Sequence, residues 1–273
     1  MPVLPENPIV VLDPDRPMTT FGVREFWQYR ELLYILAARD IKVRYKQTII
    51  GAAWAIIQPL FAMLVFTFFF GSYVSAGDAL PYSVFAYTGL LPWVFFSNAV
   101  ANSGNSLVGN SGLITKVYFP RIIIPLASVF SGLADFAVAF VILLFLIVYY
   151  GIALSPGLIL MPVLALMTAA LAIGVGMWAA ALNVKYRDVR HALPFIIQIL
   201  MFASGIIAPI PEKYRFLIYL NPIAAQIEAY RAMVAGMPIA LPPLLSSLIL
   251  TTAILLYSIY SFRKAEDDFA DLI

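Results

Sequence analysis

The chain has 273 residues, 62% of them hydrophobic and only 12% charged, with a mean hydropathy of +0.91. A soluble domain carries about 25% charged residues, so this composition excludes an ordinary soluble fold and identifies an integral membrane protein. With no cysteine and a single histidine, disulfides and thiolate metal sites are excluded and little remains to hold zinc.

Only helices and closed barrels satisfy every backbone polar group inside lipid. The apolar runs here are long and do not alternate, which predicts an all-α membrane protein with helical spans and no barrel. Residues 1–22 form a lead-in with Pro5, Pro8, Pro14 and Pro17 and the acids Glu6, Asp13 and Asp15. It lacks the basic start and apolar middle of a signal peptide and is expected to be cytosolic and irregular. Residues 23–48 are predicted as an amphipathic interface helix, with Thr20 as its cap. Arg39, Lys42 and Lys46 fall at i, i+3 and i+7 and share one side. A cationic helix feeding directly into an apolar run is expected to lie on the cytoplasmic surface.

Residues 49–273 are predicted to hold six transmembrane helices, over 49–73, 83–109, 122–149, 158–182, 194–208 and 244–262. Pro92 lies inside the second. Residues 210–238 are too polar and proline-broken for a simple span. They are expected to make two short re-entrant helices in the outer leaflet. Asn221 would cap the second, Pro222 would take its first position, and Glu228 and Arg231 at i, i+3 would pair.

The basic residues set the orientation. Seven Lys or Arg precede the first span. With Lys116, Arg121, Lys185, Arg187, Arg190, Arg263 and Lys264 they put fourteen of the seventeen on one side, leaving Lys213, Arg215 and Arg231 on the other. The positive-inside rule makes the richer side cytoplasmic, with both termini there. No glycine precedes a lysine, so a Gly-x-x-x-x-Gly-Lys phosphate loop is absent and the chain is not a nucleotide hydrolase of that type.

Within the spans, Asn98, Asn102, Asn105 and Gly109 share one helical face. Such a face either packs on another helix or lines a wet path. Asp135 is a lone carboxylate in the third span. Exposed to lipid it would cost at least about 2.5–3.5 kcal/mol, so it is expected to face the bundle, with one of those asparagines as partner. Tyr34, Tyr45, Trp54 and Phe61 cluster where the lead-in helix enters the first span. His191 reads as a polar anchor at the membrane surface.

The stretches VRYKQTIIGAAWAIIQPL, LLPWVFFSNAVANSGNSLVGNSGLITKVYFPRIIIPL, NVKYRDVRHALPF and YLNPIAAQIEAYR resemble, in this order, the membrane subunits of ABC-type polysaccharide exporters. These are the ABC-2 type permeases for O-antigen, capsule or teichoic acid, and the resemblance runs from about Glu31 to the C-terminus. It implies a homodimer of six-span subunits in the bacterial plasma membrane. Two separate ATP-binding cassette subunits would bind the ATP and Mg, so this chain would carry no cofactor and no enzymatic activity. The substrate would be a lipid-linked polysaccharide; no nucleic acid is involved.

The resemblance also implies residue roles. Two cytosolic loops would couple to the ATPase, through Leu113, Lys116, Val117, Tyr118 and Arg121 and through Lys185, Tyr186, Arg187, Asp188 and Arg190. The alternative is that these charges only anchor the spans. Tyr34, Tyr45, Trp54 and Phe61, with Asn98 and Asn102, would line the substrate path. Tyr214, Asn221, Pro222, Glu228 and Arg231 would belong to an outer gate.

Three other readings compete. A permease for drugs or lipids shares the same architecture. An intramembrane glycosyl or polyprenyl transferase needs clustered carboxylates, usually with a metal. Here Asp40 is solitary, Asp188 is surrounded by basic residues, and the acids from Glu266 to Asp271 sit at the terminus. A structural anchor would not need polar residues within its spans.

Overall fold

A computed structural model describes residues 27–46, 51–73, 80–117, 119–266 and 269. The proline-rich lead-in, the Thr20 cap, the start of the interface helix and Tyr118 lie outside the described residues. All regular structure among the described residues is helical.

Helix α1 spans Arg30–Tyr45 and α2 spans Trp54–Phe70, after a short 3-10 turn at Gly51–Ala53. Helix α3 runs from Tyr82 to Gly109, α4 is the single turn Ser111–Ile114, and α5 runs from Ile123 to Tyr149. Helix α6 covers Met161–Lys185 behind a 3-10 turn at Pro156–Leu160, and α7 covers Val189–Ala203. Two shorter helices, α8 (Leu217–Leu220) and α9 (Pro222–Ala235), precede α10 (Leu241–Glu266).

Four helical segments, 82–109, 123–149, 156–185 and 241–266, are long and apolar enough to cross a membrane. Helices α2 and α7 are apolar but have 17 and 15 residues. At 1.5 Å per residue they reach about 25 and 22 Å, less than the roughly 30 Å hydrocarbon core. Helix α7 also begins five residues before the predicted boundary, because Val189–Leu193 continues the helix through Pro194. It ends where Gly205 turns the chain at φ +67°.

Helix α3 is the centre of the bundle and is buried along most of its length. It meets α6 through small residues: a Cβ added at Gly176 would stand 2.6 Å from the Ser103 side chain. Close backbone approach of this kind is how helices pack without a hydrophobic driving force between them. Asn183 of α6 adds polar contacts to α3, donating to the Gly104 carbonyl at 3.0 Å and to Asn105 Oδ1 at 3.1 Å. A buried set links α6, α9 and α10: Thr168 donates to Gln226 Oε1 at 2.7 Å, and Gln226 donates to Ser247 Oγ at 3.2 Å.

A separate apolar cluster marks one end of the bundle. It gathers Leu107 from α3, Ile123 from α5, Val184 from α6 and Phe262 from α10, with Phe269. The C-terminal ends of α3, α6 and α10 and the start of α5 therefore lie together, and the loops 110–122 and 186–188 share that end. The opposite end carries α8, α9 and the turn after α7. Tyr82 at the start of α3 donates there to the Ile207 carbonyl at 2.8 Å.

Candidate functional site

Helix α1 does not stand apart from the bundle. Leu36 is buried in the apolar end cluster with Ile123 of α5. About one turn beyond Asp40, Arg44 Nη1 pairs with Asp135 Oδ2, and Tyr45 Oη donates to Asp135 Oδ1. Arg44 Nη2 also donates to Ser131 Oγ at 3.2 Å. Asp135 lies twelve residues into α5, about 18 Å along its axis. Its partners correct the expectation of an asparagine: they come from the lead-in helix, 91 and 90 residues away in sequence. Burial, then the bond to Asp135 and its negative charge, push the Tyr45 phenol up to about 12, so it stays protonated and donates.

These contacts form one wall of a cleft of about 400 Å³ between α1, α2, α3 and α5. Trp54, Gln58 and Pro59 of α2 line it, as do Phe95, Asn98 and Asn102 of α3 and Gly132, Asp135 and Phe136 of α5. Asn98 and Asn102 of the asparagine face are exposed there. Its upper part lines a cavity, and its lower part, at Asn105, packs on α6 through Asn183. Trp54 is 50% exposed. Asn98 also lines a second groove of about 270 Å³, between α3 and α7, with Trp93, Ser97 and Gln198.

Two of the expected lining residues are not in the cleft. Tyr34 is 75% exposed and Phe61 is 66% exposed. Tyr34 precedes Tyr45 by eleven residues and Phe61 follows Trp54 by seven, so each shares a helical face with a lining residue. They stand about 16 and 10 Å along the axis from it, beyond the ends of the cleft. Face was legible from sequence and the cleft's length was not.

The two charged loops share the end marked by the second cluster. Lys116, Val117, Lys185, Tyr186, Arg187, Asp188 and Arg190 are exposed, as is His191, and Leu113, within α4, is half-buried. Arg121 differs. Its backbone N–H donates to Glu266 Oε1 at 2.8 Å and its guanidinium to the Glu266 carbonyl, so it ties the loop to the end of α10. Replacing Arg121 with Glu is therefore expected to loosen α10 as well as change surface charge, lowering stability by about 1–2 kcal/mol. Lys116→Glu, on the exposed loop, is expected to stay within about 0.5 kcal/mol of the parent in a thermal unfolding assay.

At the other end, Asn221 accepts from the Ala224 N–H at 3.4 Å and Pro222 takes the first position of α9, as expected for a cap. Tyr214 is exposed with Lys213 over its ring. The expected Glu228–Arg231 pair is not formed. Arg231 turns into the bundle and donates to the carbonyls of Phe85 (3.3 Å), Gly205 (2.7 Å) and Ile206 (2.8 Å). Its guanidinium carbon lies 3.5 Å from the centre of the Phe85 ring. The carbonyls of the turn after α7 have no helical N–H to accept from, and they outbid a carboxylate one turn away on α9. Burial pulls Arg231 down to about 9 and pushes the Glu228 carboxyl up.

Among the described residues no group of three or more His, Cys, Asp or Glu is placed to hold a metal ion.

The description "ABC-2 type transporter" fits the family model that matches residues 31–234, a region holding α1 through most of α9. The chain is 30% identical over 259 residues to the O-antigen export system permease protein RfbA of Myxococcus xanthus, covering 92% of this chain and 98% of that protein. It is 32% identical to an O-antigen export system permease protein RfbA of Klebsiella pneumoniae, over 74% of this chain and 79% of the relative. The polysialic acid transport protein KpsM of Escherichia coli is 27% identical over 73% and 79% of the two chains. The family model spans the cleft, the two charged loops and nearly all of α8–α9, and on these matches the chain belongs to the ABC-2 type transporter membrane family.

Proposed function

We propose that this chain is the permease subunit of an exporter of lipid-linked polysaccharide, driven by ATP hydrolysis in a separate partner. Two copies would pair in the bacterial plasma membrane and dock two ATP-binding cassette subunits. Helices α2 and α7 would complete a six-span topology with the four long helices. The end bearing Lys116 and Lys185 would face the cytosol, and α8 and α9 would gate the outer mouth.

The observation that carries this reading is the cleft. A bundle that only anchored a partner would fill the space between α2, α3 and α5 with apolar side chains. Here that space is open and lined by Gln58, Asn98, Asn102 and the Arg44–Asp135 pair, with Trp54, Phe95 and Phe136 beside them. Aromatic faces with a few convergent polar groups suit sugar rings. The exposed charges of the two short loops suit docking of a cytosolic protein.

Purified alone, the chain is expected to hydrolyse no ATP; expressed in its native cells, it should co-purify with a separate ATPase subunit. Robust hydrolysis by the isolated chain would refute the reading. Topology has its own test, made simple by the absence of native cysteine. Cysteine at Lys213 should react with an impermeant maleimide on intact cells, and cysteine at Lys116 or Lys185 only after permeabilisation. Reversed labelling would place the coupling loops on the wrong side.

A further inference from the structure

The cleft has an electrostatic property that bears on what it holds. Its lining contains two charged side chains, Arg44 and Asp135, and they neutralise each other. The other polar lining groups are neutral: the amides of Gln58, Asn98 and Asn102, the Tyr45 phenol and the Trp54 indole N–H. The second groove, which shares Asn98, is lined by no charged residue. Asn98 is thus common to two lined spaces on α3, neither of which carries a net charge among its lining side chains.

A lipid-linked glycan offers two kinds of chemistry to such a lining: uncharged hydroxylated rings, and an anionic phosphate at the carrier end. We infer that this cleft seats sugar units of the glycan and not the phosphate of its lipid carrier, an inference that rests on the transport reading above. Phosphate sites collect several N–H donors and a net positive charge. Here the one guanidinium is committed to a carboxylate and to Ser131. A phosphate approaching Arg44 would meet Asp135, and freeing Arg44 would leave that carboxylate uncompensated midway along α5.

A sugar hydroxyl meets neither obstacle. It donates and accepts at once, so it can bond to Asp135 while another bonds to Asn98 or Asn102, with the ion pair intact. The apolar face of the ring then rests on Trp54, which presents half its surface. The volume of about 400 Å³ falls within the usual range for small-ligand sites.

The test separates charge from hydrogen bonding. Variants are expressed with the partner ATPase in cells lacking the native permease, and surface glycan is measured against membrane level and co-purified ATPase. The double variant Arg44→Gln with Asp135→Asn removes both charges but keeps donors and acceptors. It is expected to lose part of the export and to keep at least about threefold more than a double alanine. Arg44→Ala with Asp135→Ala, which removes the bonding groups, should fall at least about tenfold. Asp135→Asn alone, which strands the cation, should also fall. If the cleft held a phosphate, the double amide would be as deficient as the double alanine. Asp135→Asn, with its freed cation, would then match or exceed the parent, and either result overturns the inference.

Should the double amide not reach the membrane, the single Asp135→Asn decides by the same signs. The unmodified complex in proteoliposomes gives an independent readout as transport per ATP hydrolysed. Carrier-free oligosaccharide cleaved from the exported polymer should lower it and inorganic pyrophosphate should not; inhibition by pyrophosphate alone overturns the inference. If the parent complex moves no glycan, the transport reading itself fails, which is a different outcome.

Discussion

Replacing Arg231 with Met is expected to destabilise the protein by about 2–4 kcal/mol, the largest effect of any single change considered. The three carbonyls of Phe85, Gly205 and Ile206 lose a charged donor, each bond being worth about 1.5–3 kcal/mol before the cost of burying the cation is set against it. Methionine fills much of the volume, so the loss reports hydrogen bonding more than a cavity. Lysine keeps the charge but offers a compact head in place of a planar fork and should recover less than half of the loss. The space is tight from the other side too: a Cβ at Gly89 of α3 would stand 2.6 Å from Arg231 Nη2. Gly89→Ala should therefore cost about 1–3 kcal/mol by displacing the guanidinium. Detergent-resistant unfolding of the purified protein measures all three. A neutral Arg231→Met would show that the turn after α7 is held by other contacts.

The second large effect is on export. Tyr45→Ala with Trp54→Ala should reduce surface glycan at least about tenfold, because two flat faces each contribute about 1 kcal/mol to holding a ring. ATPase co-purification should be unchanged, since both residues lie away from the charged loops. Tyr45→Phe keeps the face and loses only the bond to Asp135, so it should be milder. Normal export by the double alanine would reduce both rings to packing.

Much of this was legible in the sequence. The long apolar runs marked α3, α5, α6 and α10 to within a few residues, because a membrane core imposes a minimum length on any helix that crosses it. Tyr45, Trp54, Asn98 and Asn102 were singled out and do line one cleft. Asn221 and Pro222 announced the start of α9, because capping is local chemistry. What was hidden is long-range. A lone carboxylate at Asp135 demands a partner, but nothing local says that Arg44 and Tyr45 reach it, since that depends on how α1 packs along α5. Spacing made Glu228 and Arg231 neighbours, whereas the unpaired carbonyls of a turn some 25 residues earlier decided where the guanidinium went. Arg121 was read as a loop charge for coupling or for anchoring the span, and its tie to Glu266 required knowing that α10 ends beside the start of α5.

The central claim is that glycan passes through the cleft between α1, α2, α3 and α5. A photo-crosslinking amino acid placed at Asn102 faces that cleft, and one placed at Phe68, which is 81% exposed on α2 and outside the lining, serves as its control. Illumination of cells actively exporting polymer should give a glycan adduct of the chain at position 102 and none at 68, lost when the partner ATPase is inactivated. An adduct at 68 without one at 102, in a variant that still exports, would contradict the account.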